Sequence, residues 1–391
     1  MNSLILQNGT IYQPHQIIQG GHIWLENGRI KAISAEPFQN VSPDTMVIDV
    51  EGRIVSPGFI DLHIYGGGGA SVLDADPASV ETVLHTHAQF GTTGMLVSTV
   101  TAEIPLLHRA LKAIDQVAQK SPAQTQRAKV LGVHLESCFL APERRGAHKL
   151  EWLQTPSIEL FQPLQDSSGG RIKLMTIAPE LPGAAELIEY VWQQGVVASF
   201  GHSAADYDTA THWIRKGMQI CTHLFNAMNG FGHRAPGGAG AFLTEQSAMV
   251  QIIPDGVHVH PAGLELAYQA KGASKICLVT DSLLPAGTDI KEFYFFDRLV
   301  KVTDRACFLP DGTLSGSRLT MNRAVQLFVE YTSATLQEAL HMASLNPAKA
   351  IGLDQQKGSL EVGKDADVLV LDQDLNVQLA LVEGTVVAGV L

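Results

Sequence analysis

The central part of the sequence alternates short apolar runs with longer stretches of helical periodicity, and this alternation restricts the fold more than any other feature. The apolar runs are rich in Val, Ile and Leu, and each leads into a Gly or polar residues. Runs of this length are typical of buried strands, whereas apolar residues three and four apart are typical of amphipathic helices. Repeated strand–helix units predict an α/β fold with a parallel sheet.

Eight runs fit the strand pattern. They cover residues 58–64, 94–100, 130–136, 173–180, 196–202, 219–225, 249–255 and 276–281. Helical stretches such as 184–195 and 207–217 lie between them and end at a Gly that can cap a helix. Eight such units predict a (β/α)8 TIM barrel. A doubly wound sheet is the alternative, but the glycines at 66–69 lack the GxGxxG spacing of a dinucleotide site and predict a flexible loop.

Composition and charge exclude several classes of protein. Hydrophobic residues make up 45% of the 391 residues, which excludes a disordered chain. Lys and Arg number 27 against 39 Asp and Glu, and the net charge of −12 argues against binding to nucleic acid or an anionic membrane surface. The four cysteines form no CxxC pair, and no targeting or membrane-spanning segment is visible, so a cytoplasmic protein is expected.

Three predicted strands end in residues that bind metals. Glu136 closes the third strand, His202 the fifth and His223 the sixth. The carboxyl ends of barrel strands carry the active site, and one carboxylate with two imidazoles leaves an open position on a zinc ion. A lone His at a strand end is more often structural, but three suitable residues on three strand ends favour a metal site.

Two further residues extend this group. Asp281 closes the eighth strand, where it can act as general base and then general acid toward a water activated by the metal, or simply cap a helix. His258 follows the seventh strand and can donate to an anion or to a substrate hydroxyl.

Together these residues resemble the amidohydrolase superfamily and, within it, the N-acetylglucosamine-6-phosphate deacetylases. The matching motifs span nearly the whole chain. They are PGFIDLH (57–63), GVHLE (132–136), RGAH (145–148), TIAPE (176–180), GHS (201–203), THLFNAM (222–228), DGVHV (255–259), LVTDS (278–282), GTLSGSRLTM (312–321), SLNPAKAIGL (344–353) and KGSLEVGKDADVLVLD (357–372). Their order is specific to this branch, whereas GKDADVLVLD alone marks only the superfamily.

The resemblance implies a fold and a domain division. Residues 56–349 would form the barrel with the metal-dependent hydrolase site. Residues 1–55 and 350–391 would form a small β-sandwich, which agrees with the strand-like, turn-rich character of both chain ends.

The resemblance also assigns roles to residues. Glu136, His202 and His223 match the metal ligands, and Asp281 matches the catalytic acid/base. His148 matches a contact to the sugar. The phosphate would be held by the backbone N–H groups of Asn226 and Ala227 and by the cationic contacts His258 and Arg234, and Arg234 would come from the other subunit of a homodimer.

One departure from the superfamily pattern concerns the number of metals. Binuclear members carry His-x-His on the first strand, whereas this chain reads His63-Ile64-Tyr65. A phenol with a pKa near 10 replaces the second imidazole poorly. We therefore expect one divalent metal per subunit, zinc first, with Fe²⁺, Mn²⁺ or Co²⁺ as alternatives, and no second metal site. His63 would then contact the bound water or substrate.

The function implied by the resemblance is hydrolysis of N-acetyl-D-glucosamine 6-phosphate to glucosamine 6-phosphate and acetate, in amino sugar metabolism. Two alternatives are enzymes: a deacetylase that prefers the galactosamine 6-phosphate epimer, and an amidohydrolase with another N-acyl substrate. A third is a metal-free scaffold, which would be expected to lack Glu136, His202, His223 or Asp281, and all four are present.

Overall fold

The computed structural model describes residues 3–121, 125–136 and 138–389. Five strands precede the barrel. They are β1 (Ser3–Tyr12), β2 (Ile17–Glu26), β3 (Arg29–Ser34), β4 (Met46–Asp49) and β5 (Ile54–Pro57). The Asn27-Gly28 turn between β2 and β3 has left-handed backbone at both residues, as a tight hairpin requires. Within the described ranges, no helix combines the length and apolar character needed to cross a membrane.

Eight parallel strands form the barrel, and a two-stranded hairpin follows the first of them. In chain order these elements are β6 (Phe59–Ile64), the hairpin strands β7 (Gly66–Gly67) and β8 (Ala70–Ser71), β9 (Thr92–Thr99), β10 (Lys129–Leu135), β11 (Ile172–Ile177), β12 (Val197–Phe200), β13 (Ile220–Cys221), β14 (Met249–Ile252) and β15 (Ile276–Leu278). The barrel strands pair in sequence order from β6 and β9 through to β15. The sheet closes where Ile64 bridges Ser282 and Asp281 N–H donates to His63 C=O at 2.9 Å. Closure confirms the barrel and rules out the doubly wound alternative.

Helices cover the outside of the barrel. The described α-helices are α1 (Pro77–Ala88), α2 (Ile104–Ala118), α3 (Ile158–Ser167), α4 (Ala184–Gln193), α5 (Tyr207–Lys216), α6 (Gly237–Thr244), α7 (Pro261–Lys271), α8 (Met321–Tyr331), α9 (Leu336–Met342) and α10 (Leu345–Ala350). Short 3₁₀ helices cover Val72–Asp74, Pro142–Arg144, Leu150–Trp152 and Ala273–Lys275. The buried faces of the α-helices pack on the barrel strands and form one continuous core with them.

The glycines at 66–69 form an ordered hairpin and not the flexible loop that their spacing predicts. The hairpin packs on α1, where a ring nitrogen of His87 lies 3.0 Å from Gly66 C=O. A Cβ at Gly67 would lie 2.5 Å from that nitrogen. Glycine is needed here because the backbone approaches the helix this closely.

A four-stranded antiparallel sheet is inserted between β15 and α8. Its strands are β16 (Glu292–Phe295), β17 (Arg298–Val302), β18 (Ala306–Phe308) and β19 (Leu314–Ser317). Ser317 N–H donates to Asp281 C=O at 2.9 Å, and Leu283 N–H donates to Ser317 C=O at 3.0 Å. These bonds attach the inserted sheet to the mouth of the barrel.

The two ends of the chain meet in a second sheet. The last strands are β20 (Val368–Leu371), β21 (Val377–Val382) and β22 (Thr385–Gly389). They extend a mixed eight-stranded sheet in the order β22-β21-β20-β5-β1-β2-β3, and β4 pairs with β1. Its apolar residues form a core separate from that of the barrel. Both chain ends therefore build the small β domain, while its division from the barrel after residues 55 and 349 stays a prediction.

Candidate active site

A cavity of about 250 Å³ opens at the carboxyl ends of the barrel strands. Eight of the ten predicted site residues line it. These are Glu136, His148, His202, His223, Asn226, Ala227, His258 and Asp281. His63 lies buried beside Glu136. Arg234 lies elsewhere: it is exposed and lines a different surface depression with Asp206 and Asn229.

The three predicted metal ligands form a compact triangle. Nε2 of His202 and Nε2 of His223 lie 3.0 Å apart, and they lie 3.3 Å and 3.1 Å from Oε1 of Glu136. Ligands about 2.0–2.1 Å from a tetrahedral zinc ion are roughly 3.3 Å from each other. Oε1 of Glu136 is buried without a hydrogen-bond partner among the described residues. A cation would satisfy this orphaned oxygen, so the donor set fits a metal.

His148 is a geometric alternative to His223 as the third ligand. One possible ligand atom of His148 lies within 4.8 Å of the ligand atoms of Glu136 and His202. However, Nδ1 of His148 accepts the Thr101 backbone N–H at 3.3 Å and lies 2.6 Å from Thr101 Oγ1. In a neutral ring the proton then sits on Nε2, which faces the site as a donor. This leaves His223 as the third candidate ligand beside Glu136 and His202.

Hydrogen bonds also fix the direction of the His202 ring. Its Nδ1 donates to Arg144 C=O at 2.8 Å, which leaves the Nε2 lone pair directed toward Glu136 and His223. A ligating histidine usually donates its second ring N–H in this way.

Burial and neighbouring charges set the protonation of the group. Burial lowers the pKa of His223 to about 4 and of His148 to about 3, so both rings are neutral near pH 7. Burial opposes ionisation of Glu136, but His63 and His202 outweigh it and hold the pKa of that carboxyl well below its usual range. The site thus offers an ionised carboxylate at Glu136 and a neutral imidazole at His223, the forms in which these groups bind a metal.

Tyr65, which replaces the second histidine of the His-x-His pattern, contacts His63. Nε2 of His63 lies 2.7 Å from the Tyr65 hydroxyl and 3.2 Å from Oε2 of Glu136. Burial favours the neutral ring, yet Glu136 and then Asp281 raise the pKa of His63 to about 9. His134, below it, bonds Ser98 at 3.1 Å and Thr176 at 2.7 Å, so it is a core residue and not a ligand.

Asp281 faces the cavity between two histidines. One carboxylate oxygen lies 3.5 Å from Nε2 of His63, and the other lies 3.5 Å from Nε2 of His258. Burial raises the pKa of Asp281 to about 7. Asp255 orients His258 by accepting from Nδ1 at 2.6 Å. Asp255 was not identified from the sequence, although its place three residues before His258 could have suggested this bond.

Several site residues have left-handed backbone. φ is 49° at His202, 31° at His223 and 53° at Asp281. Such angles are costly for residues other than glycine and concentrate at functional sites. These angles also explain why β12 ends at Phe200 and β13 at Cys221, before the predicted ends at 202 and 225. The chain leaves the strand pairing where it turns the candidate ligands toward the cavity.

The loop after His223 supplies fewer free amides than the resemblance implies. Asn226 N–H donates to His223 C=O at 2.9 Å, so it is already engaged. Ala227 has φ of 49°, and its N–H has no acceptor among the residues described. Of the two residues, Ala227 therefore offers the available backbone donor.

The inserted sheet supplies cavity residues that the sequence analysis did not single out. Phe295 and residues 313–316 line one side, together with Tyr65, Val100 and Leu283. The GTLSGS motif can be recognised in the sequence, but nothing in the local pattern shows that β19 packs beside Asp281.

The tip of the β16–β17 hairpin docks on the loop that carries His148. Lys149 Nζ lies 2.6 Å from Asp297 and 4.6 Å from the centre of the Trp152 ring. Trp152 in turn contacts Phe296 edge to face at 4.4 Å between ring centres. Arg298 donates to Ala147 C=O. These contacts join the inserted sheet to the side of the cavity that His148 lines.

Comparison with known proteins places the chain in a family. Residues 54–389 match the amidohydrolase family. An N-acetylglucosamine-6-phosphate deacetylase from Bacillus subtilis is 34% identical over 385 residues, which cover 98% of this chain and 97% of that protein. An N-acetylgalactosamine-6-phosphate deacetylase from Escherichia coli is 34% identical over 362 residues, which cover 92% of this chain and 95% of that protein.

Solved structures agree with the sequence relatives. The crystal structure of N-acetylglucosamine-6-phosphate deacetylase from Pasteurella multocida has a TM-score of 0.91 at 33% identity and covers 98% of this chain and 99% of its own. A mutant of the Mycobacterium smegmatis enzyme, in complex with N-acetyl-D-glucosamine-6-phosphate, has a TM-score of 0.91 at 28% identity and covers 99% of this chain and 100% of its own. This chain therefore belongs to the amidohydrolase family and, within it, to the N-acetylglucosamine-6-phosphate deacetylases.

Proposed function

We propose that this chain hydrolyses N-acetyl-D-glucosamine 6-phosphate to D-glucosamine 6-phosphate and acetate, as part of amino sugar metabolism. The observation that carries the proposal is the triangle of Glu136, His202 and His223 facing Asp281 across the cavity. The names of the relatives support the substrate class, and all four residues of the proposed chemistry are present.

The triangle would hold one divalent cation per subunit. We propose zinc, because two imidazoles and one carboxylate in a near-tetrahedral arrangement suit it; Fe²⁺, Mn²⁺ and Co²⁺ are the alternatives. A bound divalent cation supplies a lowered water pKa and a polarised amide carbonyl. Tyr65 occupies the place of the second superfamily histidine, which supports a single metal.

Asp281 would move the proton. Its carboxylate accepts a proton from the attacking water as the C–O bond forms and donates it to the amide nitrogen as the C–N bond breaks. The products are acetate and a free amine. His63, 3.5 Å from Asp281, is placed to donate toward the oxygen that gains charge.

Neighbouring residues would bind and orient the sugar phosphate. His148 presents Nε2–H as a donor to the sugar. Ala227 N–H, His258 and the loop of Asn226 would receive the phosphate. Arg234 is exposed on its own subunit, which supports a homodimer in which it reaches the partner's site. A dianion in a chain of net charge −12 needs such local donors.

We further propose the glucosamine epimer as the preferred substrate and the cytoplasm as the location. Most of the relatives described above act by name on the glucosamine compound, although the Escherichia coli relative named for galactosamine is equally identical. Cys221, Cys277 and Cys307 are buried thiols, and reduced thiols suit a reducing compartment.

The test is a steady-state comparison of four substrates. The two N-acetylhexosamine 6-phosphates and their unphosphorylated forms would be assayed for acetate release after metal loading. We expect the highest kcat/KM for N-acetylglucosamine 6-phosphate. A higher value for the galactosamine compound would establish the epimer alternative, and equal values with and without phosphate would contradict the proposed phosphate site. No acetate from any substrate, with metal bound, would contradict the function.

A further inference from the structure

The loop that carries His202 is fastened at several points. His202 has a left-handed φ of 49°, and its carbonyl accepts Ala141 N–H at 2.9 Å. Glu180 accepts Ser203 Oγ at 2.7 Å and Ala204 N–H at 2.6 Å. A strained backbone persists only where its surroundings over-determine it. The position of the His202 ring therefore depends on neighbouring loops as well as on β12.

Arg144 contacts this loop through both its backbone and its side chain. Its carbonyl accepts Nδ1–H of His202 at 2.8 Å. Its guanidinium Nε donates to Oδ1 of Asn229 at 3.1 Å, and a second guanidinium nitrogen reaches the same oxygen. The acceptor that orients the His202 ring is thus tied in place by the side chain of the same residue.

Asn229 completes the connection. Its amide Nδ2 donates to Ala204 C=O at 2.7 Å and to Ala205 C=O at 3.2 Å. It lies six residues after His223, on the loop that carries the other imidazole ligand, and Ser203 N–H donates to Ala227 C=O of that loop at 3.2 Å. One amide side chain therefore links the two ligand loops to Arg144.

Asn229 is itself firmly placed. Its carbonyl accepts Ala239 N–H of α6 at 3.1 Å. Gly237 has a φ of 61°, and a Cβ there would lie 2.4 Å from the Asn229 carbonyl oxygen. The helix that follows thus also fixes the backbone of Asn229.

From these contacts we propose that Arg144 and Asn229 are positioning residues for the metal centre, which together fix the His202 ring and hold it at the proper distance from His223. The inference rests on the proposed metal-dependent function. Neither residue is among those of the described chain that line the cavity, so both act through His202. Partners that orient a ligating histidine typically affect metal affinity about 10–100-fold.

The experiment measures metal affinity directly. The parent and the variants Arg144→Ala, Arg144→Lys and Asn229→Asp would be stripped of metal, titrated with Zn²⁺ and compared in competition with a chromogenic chelator. Arg145→Ala is the matched control, since Arg145 is exposed and its side chain bonds only the nearby Pro142 carbonyl among the contacts described. Far-UV circular dichroism and urea unfolding would show that each variant is folded.

The expected results differ between the variants. Arg144→Ala and Asn229→Asp should weaken Zn²⁺ binding about 10–100-fold. In Asn229→Asp the Arg144 contact is retained, but a carboxylate oxygen then faces the carbonyls of Ala204 and Ala205. Arg144→Lys should lie between Arg144→Ala and the parent, and the control should stay within about twofold of the parent. At saturating metal, KM should change less than metal affinity does.

Two other outcomes distinguish a failure of the positioning role from a failure of the proposed function. Folded variants that bind Zn²⁺ within about twofold of a metal-binding parent would overturn the positioning role and leave the proposed function standing. A parent that takes up no divalent metal would overturn the proposed function itself. If Arg144→Ala does not fold, Arg144→Lys and Asn229→Asp still decide the matter.

Discussion

The hydroxyl of Tyr65 lies 2.7 Å from Nε2 of His63, and the two rings meet edge to face with 5.1 Å between their centres. Both side chains are buried. Tyr65 therefore engages the His63 nitrogen that also faces Glu136 and Asp281. A phenol in this place gives Nε2 of His63 a partner without a second cation.

The first prediction concerns metal content. The purified protein should hold about one tightly bound divalent metal per chain, because Tyr65 stands where a second imidazole ligand would be needed. Tyr65→Phe should keep that count, since the hydroxyl is a partner of His63 and not a ligand. Elemental analysis of both proteins checks this. Two equivalents that are both required for activity, or loss of metal in Tyr65→Phe, would show a binuclear centre.

The second prediction concerns Asp281. Asp281→Asn should retain metal and substrate binding but lose about 10²–10⁴-fold in kcat, because the amide cannot accept the proton of the attacking water. Asp289→Asn is the control, since Asp289 is exposed outside the cavity. Single-turnover and steady-state kinetics at saturating metal would measure the effect. A kcat near that of the parent would mean that Asp281 is structural.

The third prediction concerns pH. Burial raises the pKa of Asp281 to about 7, and the proposed base must be ionised. kcat/KM should therefore fall as the pH falls through that pKa. The midpoint of this acidic limb should lie at or below about 7, because a nearby cation favours the carboxylate. A kcat/KM profile that stays flat from about pH 8 down to about pH 4 would be incompatible with Asp281 as the base, because a nearby cation lowers a carboxyl pKa by only about 1–3 units.

The fourth prediction concerns the phosphate. His258→Ala and Arg234→Ala should each lower kcat/KM for the phosphorylated sugar about tenfold to a hundredfold, since charge-assisted hydrogen bonds contribute about 1.5–3 kcal/mol. Hydrolysis of unphosphorylated N-acetylglucosamine should barely change in Arg234→Ala, because Arg234 lies outside the cavity, whereas His258 also lies 3.5 Å from Asp281. Equal losses on both substrates in Arg234→Ala would assign Arg234 a structural role.

Subunit mixing extends the test of Arg234. If Arg234 serves the partner's site, hybrids of Arg234→Ala and Asp281→Asn chains should regain activity, because one site of each hybrid has both residues. No recovery in verified hybrids would place Arg234 in the site of its own subunit.

The fifth prediction concerns a buried ion cluster of Lys357, Asp365 and Asp367. Lys357 Nζ lies 2.6 Å from Asp365 and 2.9 Å from Asp367. Burial favours the neutral amine, but Asp367 and Asp365 raise the pKa of Lys357 above its ordinary value. Lys357→Met should lower the free energy of unfolding by about 3–5 kcal/mol, because it leaves the buried Asp367 carboxylate without its cation, while Asp365 keeps its pair with Arg29.

Urea unfolding would measure this loss. Arg323→Met is the control, because Arg323 and Glu330 form an exposed pair at 4.0 Å. It should change the free energy of unfolding by less than about 1 kcal/mol. Equal effects of the two substitutions would show that the buried cluster contributes no more than a surface pair.

The ends of the barrel strands could not be predicted from the sequence. The sixth run was expected to be a strand over 219–225, but β13 covers only Ile220–Cys221. His223 and Phe225 have left-handed backbone, which a hydrophobicity pattern does not reveal. The chemistry of Thr222–Met228 was readable from its residue types, whereas its conformation depends on contacts with Ser203 and Gln251 from neighbouring strands and loops.

By itself, the sequence determined the alternation of strands and helices, and with it the barrel, because hydrophobic periodicity and turn residues act locally. It also determined which residues could serve as ligands and base, since side-chain chemistry is fixed by residue type. Only the tertiary structure decided that Nε2 of His202 faces His223 at 3.0 Å, that Asp255 orients His258 and that β19 lies beside Asp281. These relationships join residues distant in the chain or in conformations a pattern does not report, and packing and hydrogen bonding across loops set them.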